Sequence, residues 1–315
     1  MPHISVVTAC FNEEPNVAEV YRRVREVVES LPPRDGEPYT YEHLFIDNDS
    51  TDQTVEILRG ICAEDDRVKV IVNTRNFGHI RSPFHGLLAA EGDAVISIVA
   101  DLQDPPDLIR EFVARWEEGY KVVVGVKKES LERKSMFFLR TLYYKLLGRL
   151  SDVPLIENFT GFGLYDRVVM DKLREIDDPY PYFRGLICDL GYDRVEIAYV
   201  QPQRSRGITK NNFYTLYDMA MLGLTNHSKV PLRLATMAGF ILSIVALVVA
   251  FVFLVLKLAF WHEFNLGLAP LLIGIYFFGS VQLFFIGVLG EYILSIHTQV
   301  YHRPLVVEKE RINFD

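Results

Sequence analysis

Residues 4–12 read Ile4-Ser5-Val6-Val7-Thr8-Ala9-Cys10-Phe11-Asn12, an apolar, β-branched run that stops on a polar residue, and its pairing with the next segment decides the fold. Val17, Val20, Tyr21, Val24, Val27, Val28 and Leu31 recur at helical spacing just beyond. A strand leading into an amphipathic helix is the reading. A second strand, residues 43–46, meets Asp47, after which Ser50 and Gln53 have the spacing of a capping box for a helix carrying Val55, Ile57 and Leu58. Residues 68–72 form a third strand, 94–100 a fourth ending at Asp101, and 121–126 a fifth, with Leu108, Ile109, Phe112, Val113 and Trp116 marking a helix face between the last two. A last strand spans 194–200. Strands alternating with helices predict an α/β fold with a doubly wound, mostly parallel sheet and right-handed crossovers. In such sheets ligands lie beyond the carboxyl ends of the strands, where Asn12, Asp47, Asn73 and Asp101 fall.

The rest of the chain is of a different character. Half of the 315 residues are hydrophobic and the mean hydropathy is +0.13, an excess concentrated in residues 234–256 and 264–290, neither of which carries a charge. At about 1.5 Å of rise per residue, about 20 residues cross the roughly 30 Å hydrocarbon layer, so both stretches predict transmembrane helices, paired as a hairpin. Lys229 and Arg233 precede the first, and Arg303, Lys309 and Arg311 come after the second, whereas the connection has only Lys257 nearby. The positive-inside bias then puts both termini in the cytoplasm, in an inner (plasma) membrane protein. Residues 1–10 show no basic segment followed by an apolar one, so the polar part is expected to stay inside. The expected division is a cytoplasmic domain over 1–210, interfacial amphipathic helices over 211–232, two spans over 233–295 and a cytoplasmic tail over 296–315.

Other classes are disfavoured. A formal charge of −8 gives no support to a nucleic-acid partner. Cys10, Cys62 and Cys188 are far apart and odd in number, which argues against a disulfide framework or a zinc site. No charge lies within the two apolar stretches, against a transporter. The sheet has no Gly-x-Gly-x-x-Gly and no Gly-x-x-x-x-Gly-Lys-Ser/Thr, so a phosphate-bearing ligand would need a metal rather than a glycine cradle.

Six segments occur in order: Val6-Val7-Thr8-Ala9-Cys10-Phe11-Asn12-Glu13, Asp47-Asn48-Asp49-Ser50-Thr51-Asp52, Asn76-Phe77-Gly78, Ala100-Asp101-Leu102-Gln103-Asp104-Pro105-Pro106, Leu150-Ser151-Asp152-Val153-Pro154, and Gly290-Glu291-Tyr292-Ile293 with Arg303-Pro304-Leu305. Together they resemble family 2 glycosyltransferases of the polyprenyl-phosphate type, similar to dolichyl-phosphate mannose synthases and bacterial undecaprenyl-phosphate glucosyltransferases. The resemblance covers nearly the whole chain and implies a GT-A-like nucleotide-sugar domain. It implies that Asp47 contacts base and ribose and that Asp101, with Gln103 as second ligand, holds Mg²⁺ or Mn²⁺ on the donor diphosphate; hard cations suit such oxygen ligands. Thr8, Asn12, Glu13, Asp49, Asn76 and Ala100 complete the expected nucleotide-sugar site, and UDP-glucose is the leading donor. Inversion at the anomeric carbon is implied too.

Two departures bear on the chemistry. The metal motif usually reads Asp-Ala-Asp, but here it is Val99-Ala100-Asp101, and an Asp-Phe-Arg segment appears as Gly161-Phe162-Gly163. Losing a base would cripple transfer to a hydroxyl, because general-base assistance contributes about 10²- to 10⁴-fold. A phosphomonoester, with a second pKa of about 6, is already ionised at neutral pH. That favours a lipid phosphate acceptor and makes Arg140, Arg204, Arg206 and Lys210 the candidates for holding it, with Arg140 also counted among the catalytic groups beside Asp101 and Gln103. The competing readings are a membrane glycosyltransferase acting on a hydroxyl of a glycolipid or polysaccharide, for which no Gln-x-x-Arg-Trp is present, and a non-catalytic nucleotide-sugar-binding scaffold. The aromatic second span and C-terminal segment are the expected surfaces for homo-oligomer formation in contact with membrane lipids.

Overall fold

The computed structural model describes residues 1–34, 36–129, 156–202, 221, 230–260, 268–301 and 303–314. Eight strands make one sheet: β1 (His3–Cys10), β2 (Thr40–Asp47), β3 (Val68–Asn73), β4 (Ala94–Val99), β5 (Val122–Glu129), β6 (Phe159–Asp166), β7 (Arg194–Val200) and β8 (Glu308–Ile312). Their order is β7-β5-β6-β4-β1-β2-β3-β8. The block β4-β1-β2-β3 is parallel, as is the pair β5 and β7. Two strands run the other way: β6, wedged between β4 and β5, and β8, on the free edge of β3.

Helices cover both faces. On one side α1 (Val17–Glu29), α2 (Thr54–Glu64) and α4 (Ile109–Glu117) bury Val17, Val20, Val24, Val27 and Val28 of α1, Leu58 and Cys62 of α2, and Phe112, Val113 and Trp116 of α4 against Val6, Phe45 and Ile96 of the sheet. On the other, α3 (Gly78–Ala89), α5 (Arg167–Glu175) and α6 (Phe183–Asp189) bury Phe84, Leu87, Val169, Met170 and Leu173 against Val7, Ile46 and Val95. Each buried apolar side chain of this size contributes about 1.5–3 kcal/mol relative to exposure. The expected doubly wound α/β sheet is therefore present, and the three cysteines are buried free thiols within it.

The structure adds two strands to these expectations and corrects one cap. The segment holding Gly161-Phe162-Gly163 forms the interior strand β6. Phe162 packs against Phe112 and Tyr199 with ring centroids 4.8 and 5.6 Å away, and a Cβ on Gly163 would lie 2.5 Å from the Val123 carbonyl oxygen. The tail over 296–315 contains a further strand, β8, whose charged sequence Glu308-Lys309-Glu310-Arg311-Ile312 had given no strand signal. Ser50 does not cap α2, which begins beyond Gln53 with no side-chain cap. Its hydroxyl donates to Asp47 at 2.5 Å, and Asp52 accepts from the Thr54 N–H at 3.0 Å just ahead of the helix.

Beyond β7 come two long helices, α7 (Val230–Ala259) and α8 (Leu268–Val300). Leu232–Ala259 and Gly274–Val300 are long and apolar enough to cross a membrane, and large side chains such as Phe240, Leu247, Leu283 and Phe284 stand exposed along them. A soluble protein rarely shows so continuous an apolar surface, so these helices are candidate membrane spans.

Candidate active site

Three loops at the carboxyl ends of β1, β2 and β4 each turn on a non-glycine residue in the left-handed region: Asn12 at φ 54°, Asp49 at φ 66° and Leu102 at φ 59°. Asn and Asp tolerate this conformation because their short polar side chains bond locally, whereas for Leu it costs about 1–2 kcal/mol. Strain of this kind persists where surrounding contacts enforce it, and it clusters at functional sites. Here the contacts run between loops. The Asn12 carboxamide oxygen accepts the Thr51 N–H at 2.8 Å, the Asn12 N–H reaches the Ser50 hydroxyl at 2.8 Å, and the Glu13 N–H reaches the Thr54 hydroxyl at 2.9 Å. The first two strand-end loops are thus stitched into one surface.

Asp47 sits beneath that surface rather than on it. It is fully buried and accepts from the Ser50 N–H at 2.9 Å and the Ser50 hydroxyl at 2.5 Å, with the Cys10 thiol 3.8 Å away. Burial pushes its carboxyl above the ordinary value against these donors, and burial, then Asp47 itself, raises the Cys10 thiol well above its own. Asn48 ties the neighbouring loop in. Its Nδ2 donates to Asn76 Oδ1 at 2.9 Å and to the Gly78 carbonyl at 3.2 Å, and its Oδ1 accepts from the Phe77 N–H at 2.8 Å. The sequence motif holds Asn48 without suggesting a role for it; it is the hub that positions the exposed Asn76.

Around Asp101, which is partly exposed, one carboxylate oxygen accepts the Gln103 N–H at 3.1 Å. Asp104 lies below, 2% exposed, accepting the Tyr199 hydroxyl at 2.7 Å. Burial pushes its carboxyl up to about 6, with Asp101 adding in the same direction and Tyr199 and Lys127 opposing. Sequence reasoning passes over both Asp104 and Tyr199. The first stands inside the motif around Asp101, and the second gives no signal, because β7 is brought to this loop only by the sheet order.

Of the other expected residues, Asn12, Glu13, Asp49, Asn76, Asp101 and Gln103 lie at the carboxyl edge. Thr8 does not: it is fully buried in β1, 2.9 Å from His43 Nε2, and Ala100 is likewise in the core. Arg140, Arg204, Arg206 and Lys210, with the motif at 150–154 and most of 211–232, lie outside the described residues. His85 is a structural partner, its Nε2 2.6 Å from Glu308 of β8. Among the described residues no group of three His, Cys, Asp or Glu side chains stands together as a metal cage. Asp101 and Gln103 offer instead two hard oxygens at an open edge, which fits a cation that takes most of its remaining ligands from a diphosphate and water. Val99, 41% exposed where the usual motif has a carboxylate, adds none.

A doubly wound sheet with polar, strained loops at its carboxyl edge places the ligand-binding surface there, and the reaction class comes from the sequence. The sequence pattern of the family described as "Glycosyl transferase family 2" matches residues 5–174, and this chain belongs to that family: it is a glycosyltransferase. The chain is 35% identical over 307 residues to an uncharacterized glycosyltransferase, YkcC, of Bacillus subtilis, covering 96% of this chain and 92% of the relative. It is 33% identical over 311 residues to the bactoprenol glucosyl transferase of Shigella phage SfV, covering 97% and 98%. A prophage bactoprenol glucosyl transferase homolog of Escherichia coli is 32% identical over 311 residues, with 97% and 98% covered. Among solved structures, a glucosyl-3-phosphoglycerate synthase of Mycobacterium tuberculosis aligns with 71% of this chain and 76% of its own at 23% identity and a TM-score of 0.47.

Proposed function

We propose that this glycosyltransferase moves a sugar from a nucleoside-diphosphate sugar to a polyprenyl phosphate at the cytoplasmic face of a membrane, with inversion at the anomeric carbon. The observation that carries the reading is the combination, in one chain, of the polar carboxyl edge and two exposed apolar helices of spanning length. The names of the bactoprenol glucosyl transferase relatives support a polyprenyl acceptor and glucose as the sugar.

In this reading an acceptor phosphate oxygen attacks the anomeric carbon from the face opposite the nucleoside diphosphate. The new bond is carbon to phosphate oxygen, the broken one is carbon to diphosphate oxygen, and the electron pair leaves with the diphosphate. Asn12, Asp49 and Asn76 line the nucleotide side, and Arg140, Arg204, Arg206 and Lys210 hold the acceptor. Asp101 and Gln103 would hold Mg²⁺ or Mn²⁺, which supplies neutralisation of the departing charge. No described side chain at the edge needs to act as a base, because the acceptor is already ionised at neutral pH. The division into a catalytic domain over 1–210, interfacial helices over 211–232, a hairpin over 233–295 and a terminal segment over 296–315 belongs to the same proposal, as does self-association through the second span.

The test is transfer from a panel of radiolabelled nucleotide-sugars, UDP-glucose among them, to undecaprenyl phosphate by the purified full chain in detergent. A chelator-sensitive, organic-extractable product is the expected result. No product from any donor, with the protein folded, refutes the reading.

A further inference from the structure

Three arginines gather on one side of the sheet without a carboxylate to answer them. Arg22, Arg59, Arg67 and Arg174 all have carboxylate partners, but Arg75, Arg81 and Arg303 have none among the described residues, on a chain whose net charge is −8. They are nevertheless close together. The guanidinium groups of Arg75 and Arg81 lie over the Phe77 ring, 4.0 and 5.3 Å from its centroid. Arg81 donates to the Pro304 carbonyl at 2.6 Å, next to Arg303, and its Nε is buried with no hydrogen-bond partner. Burial and then the charges of Arg75 and Arg303 depress the basicity of Arg81, which records how near the like charges are.

The platform under them is rigid. Phe77 is 8% exposed and its N–H is fixed by Asn48. Two like charges on a fixed ring and a third beside them, 4.5 Å over the Tyr301 ring, one of the three with an orphaned donor, cost energy unless an anion completes them. That anion is not the diphosphate near Asp101. β3 and β4 are separated by β1 and β2, and strands spaced about 4.8 Å apart put the two loops on the order of 14 Å from each other. Arg303 instead lies three residues past α8, where the second apolar helix ends. Beside it opens a cavity of about 260 Å³ whose lining joins the apolar Phe84, Leu88, Ile176 and Leu305 to the charged Arg174, Asp177 and Asp178. A cationic cluster adjoining apolar side chains suits an amphiphile better than a free ion.

We propose that Arg75, Arg81 and Arg303 form a binding site for the phosphate of a membrane lipid, away from Asp101 and Gln103 and seated where the chain leaving α8 meets the sheet. The proposal rests on the membrane location given above but not on the transfer reaction. Arg is suited to it by its planar, multidentate fork.

The test is lipid retention by the full chain in detergent, followed by native mass spectrometry with phosphatidylglycerol, phosphatidylcholine and inorganic phosphate as separate probes. Phosphatidylglycerol should be retained in preference to phosphatidylcholine, and Arg75→Gln, Arg81→Gln and Arg303→Gln should each weaken retention about tenfold, as loss of a charge-assisted bond predicts. Arg22→Gln, on α1 at the opposite face of the sheet and already paired with Glu19 and Glu26, serves as the control and should leave it unchanged. Arg81→Gln removes the contact with Pro304, so the exposed Arg75 and Arg303 keep the test open should that variant misfold. Equal retention of the two lipids, retention indifferent to Arg75 and Arg303, or occupancy by inorganic phosphate alone overturns the proposal. Arginine-dependent retention by a protein that transfers no sugar sinks the reaction and leaves this site standing; transfer with indifferent retention does the reverse.

Discussion

The Tyr199 hydroxyl of β7 donates to the Asp104 carboxylate across 2.7 Å, joining the strand at one edge of the sheet to the loop beyond β4 near its middle. Tyr199→Phe leaves a carboxyl that is 2% exposed without this donor. The expected cost is about 1–3 kcal/mol, read as a lowered thermal midpoint of the full chain in detergent. A weaker UDP-sugar affinity should accompany it, since the loop also carries Asp101 and Gln103. An unchanged midpoint would show that the bond contributes nothing.

Asp101→Ala should abolish chelator-sensitive transfer while the thermal midpoint stays within about 1 kcal/mol of wild type, because this residue is partly exposed and away from the core. Full residual activity would remove Asp101 from the metal site. Arg204→Ala should raise the apparent KM for the lipid acceptor more than that for the donor. Equal effects on both would end its assignment as an acceptor clamp.

Replacing Gly163 tests the close approach of β5 and β6. A methyl group there would meet the Val123 carbonyl oxygen at 2.5 Å, so Gly163→Ala should destabilise by about 1–3 kcal/mol through overpacking against backbone. Gly161→Asp, which introduces the carboxylate that the family resemblance implies at this position, places a side chain at φ 102° and should be destabilising without raising the transfer rate. A rate increase in that variant would show that the family's carboxylate had a catalytic role here after all.

His43 supplies a pH dependence. It is buried against Phe45 and Thr8, and burial holds its pKa down at about 3. The unfolded imidazole takes up its proton near about 6.5. Stability from this group is therefore complete above about 6.5 and is lost progressively as the pH falls from there toward the folded value. Between pH 7 and pH 5 the thermal midpoint of wild type should fall more steeply than that of His43→Gln, by the equivalent of about 1.4 kcal/mol per pH unit below 6.5. Parallel profiles would refute the buried neutral state.

Much of the fold is legible in the sequence because it is written locally. The parallel strands are short apolar runs ending on polar residues, and α1 and α4 show their buried faces at helical spacing. The features that escape are non-local. Thr160, Gly161 and Gly163 interrupt the apolar run of β6, and its identity as an interior strand comes from the fit of glycine against Val123. β8 is four charged residues and an isoleucine, and only pairing with β3, far earlier in the chain, makes it a strand. In the site, strand ends point to Asn12, Asp47, Asn73 and Asp101, but no spacing rule could show that Asp47 and Asn73 are buried there while Asn48 holds the loops together.

The return of β8 to the sheet has a mechanical consequence. Arg59 grips Glu310, Asn313 reaches the Cys62 and Val68 carbonyls at 2.9 and 3.0 Å, and the Thr74 N–H takes the Val307 carbonyl at 2.9 Å. The chain leaving α8 is thus clamped to the free edge of β3 within a few residues of the helix end. A strand held by its full ladder and by side chains on both flanks cannot swivel, so the end of α8 carries the sheet edge with it in one heading.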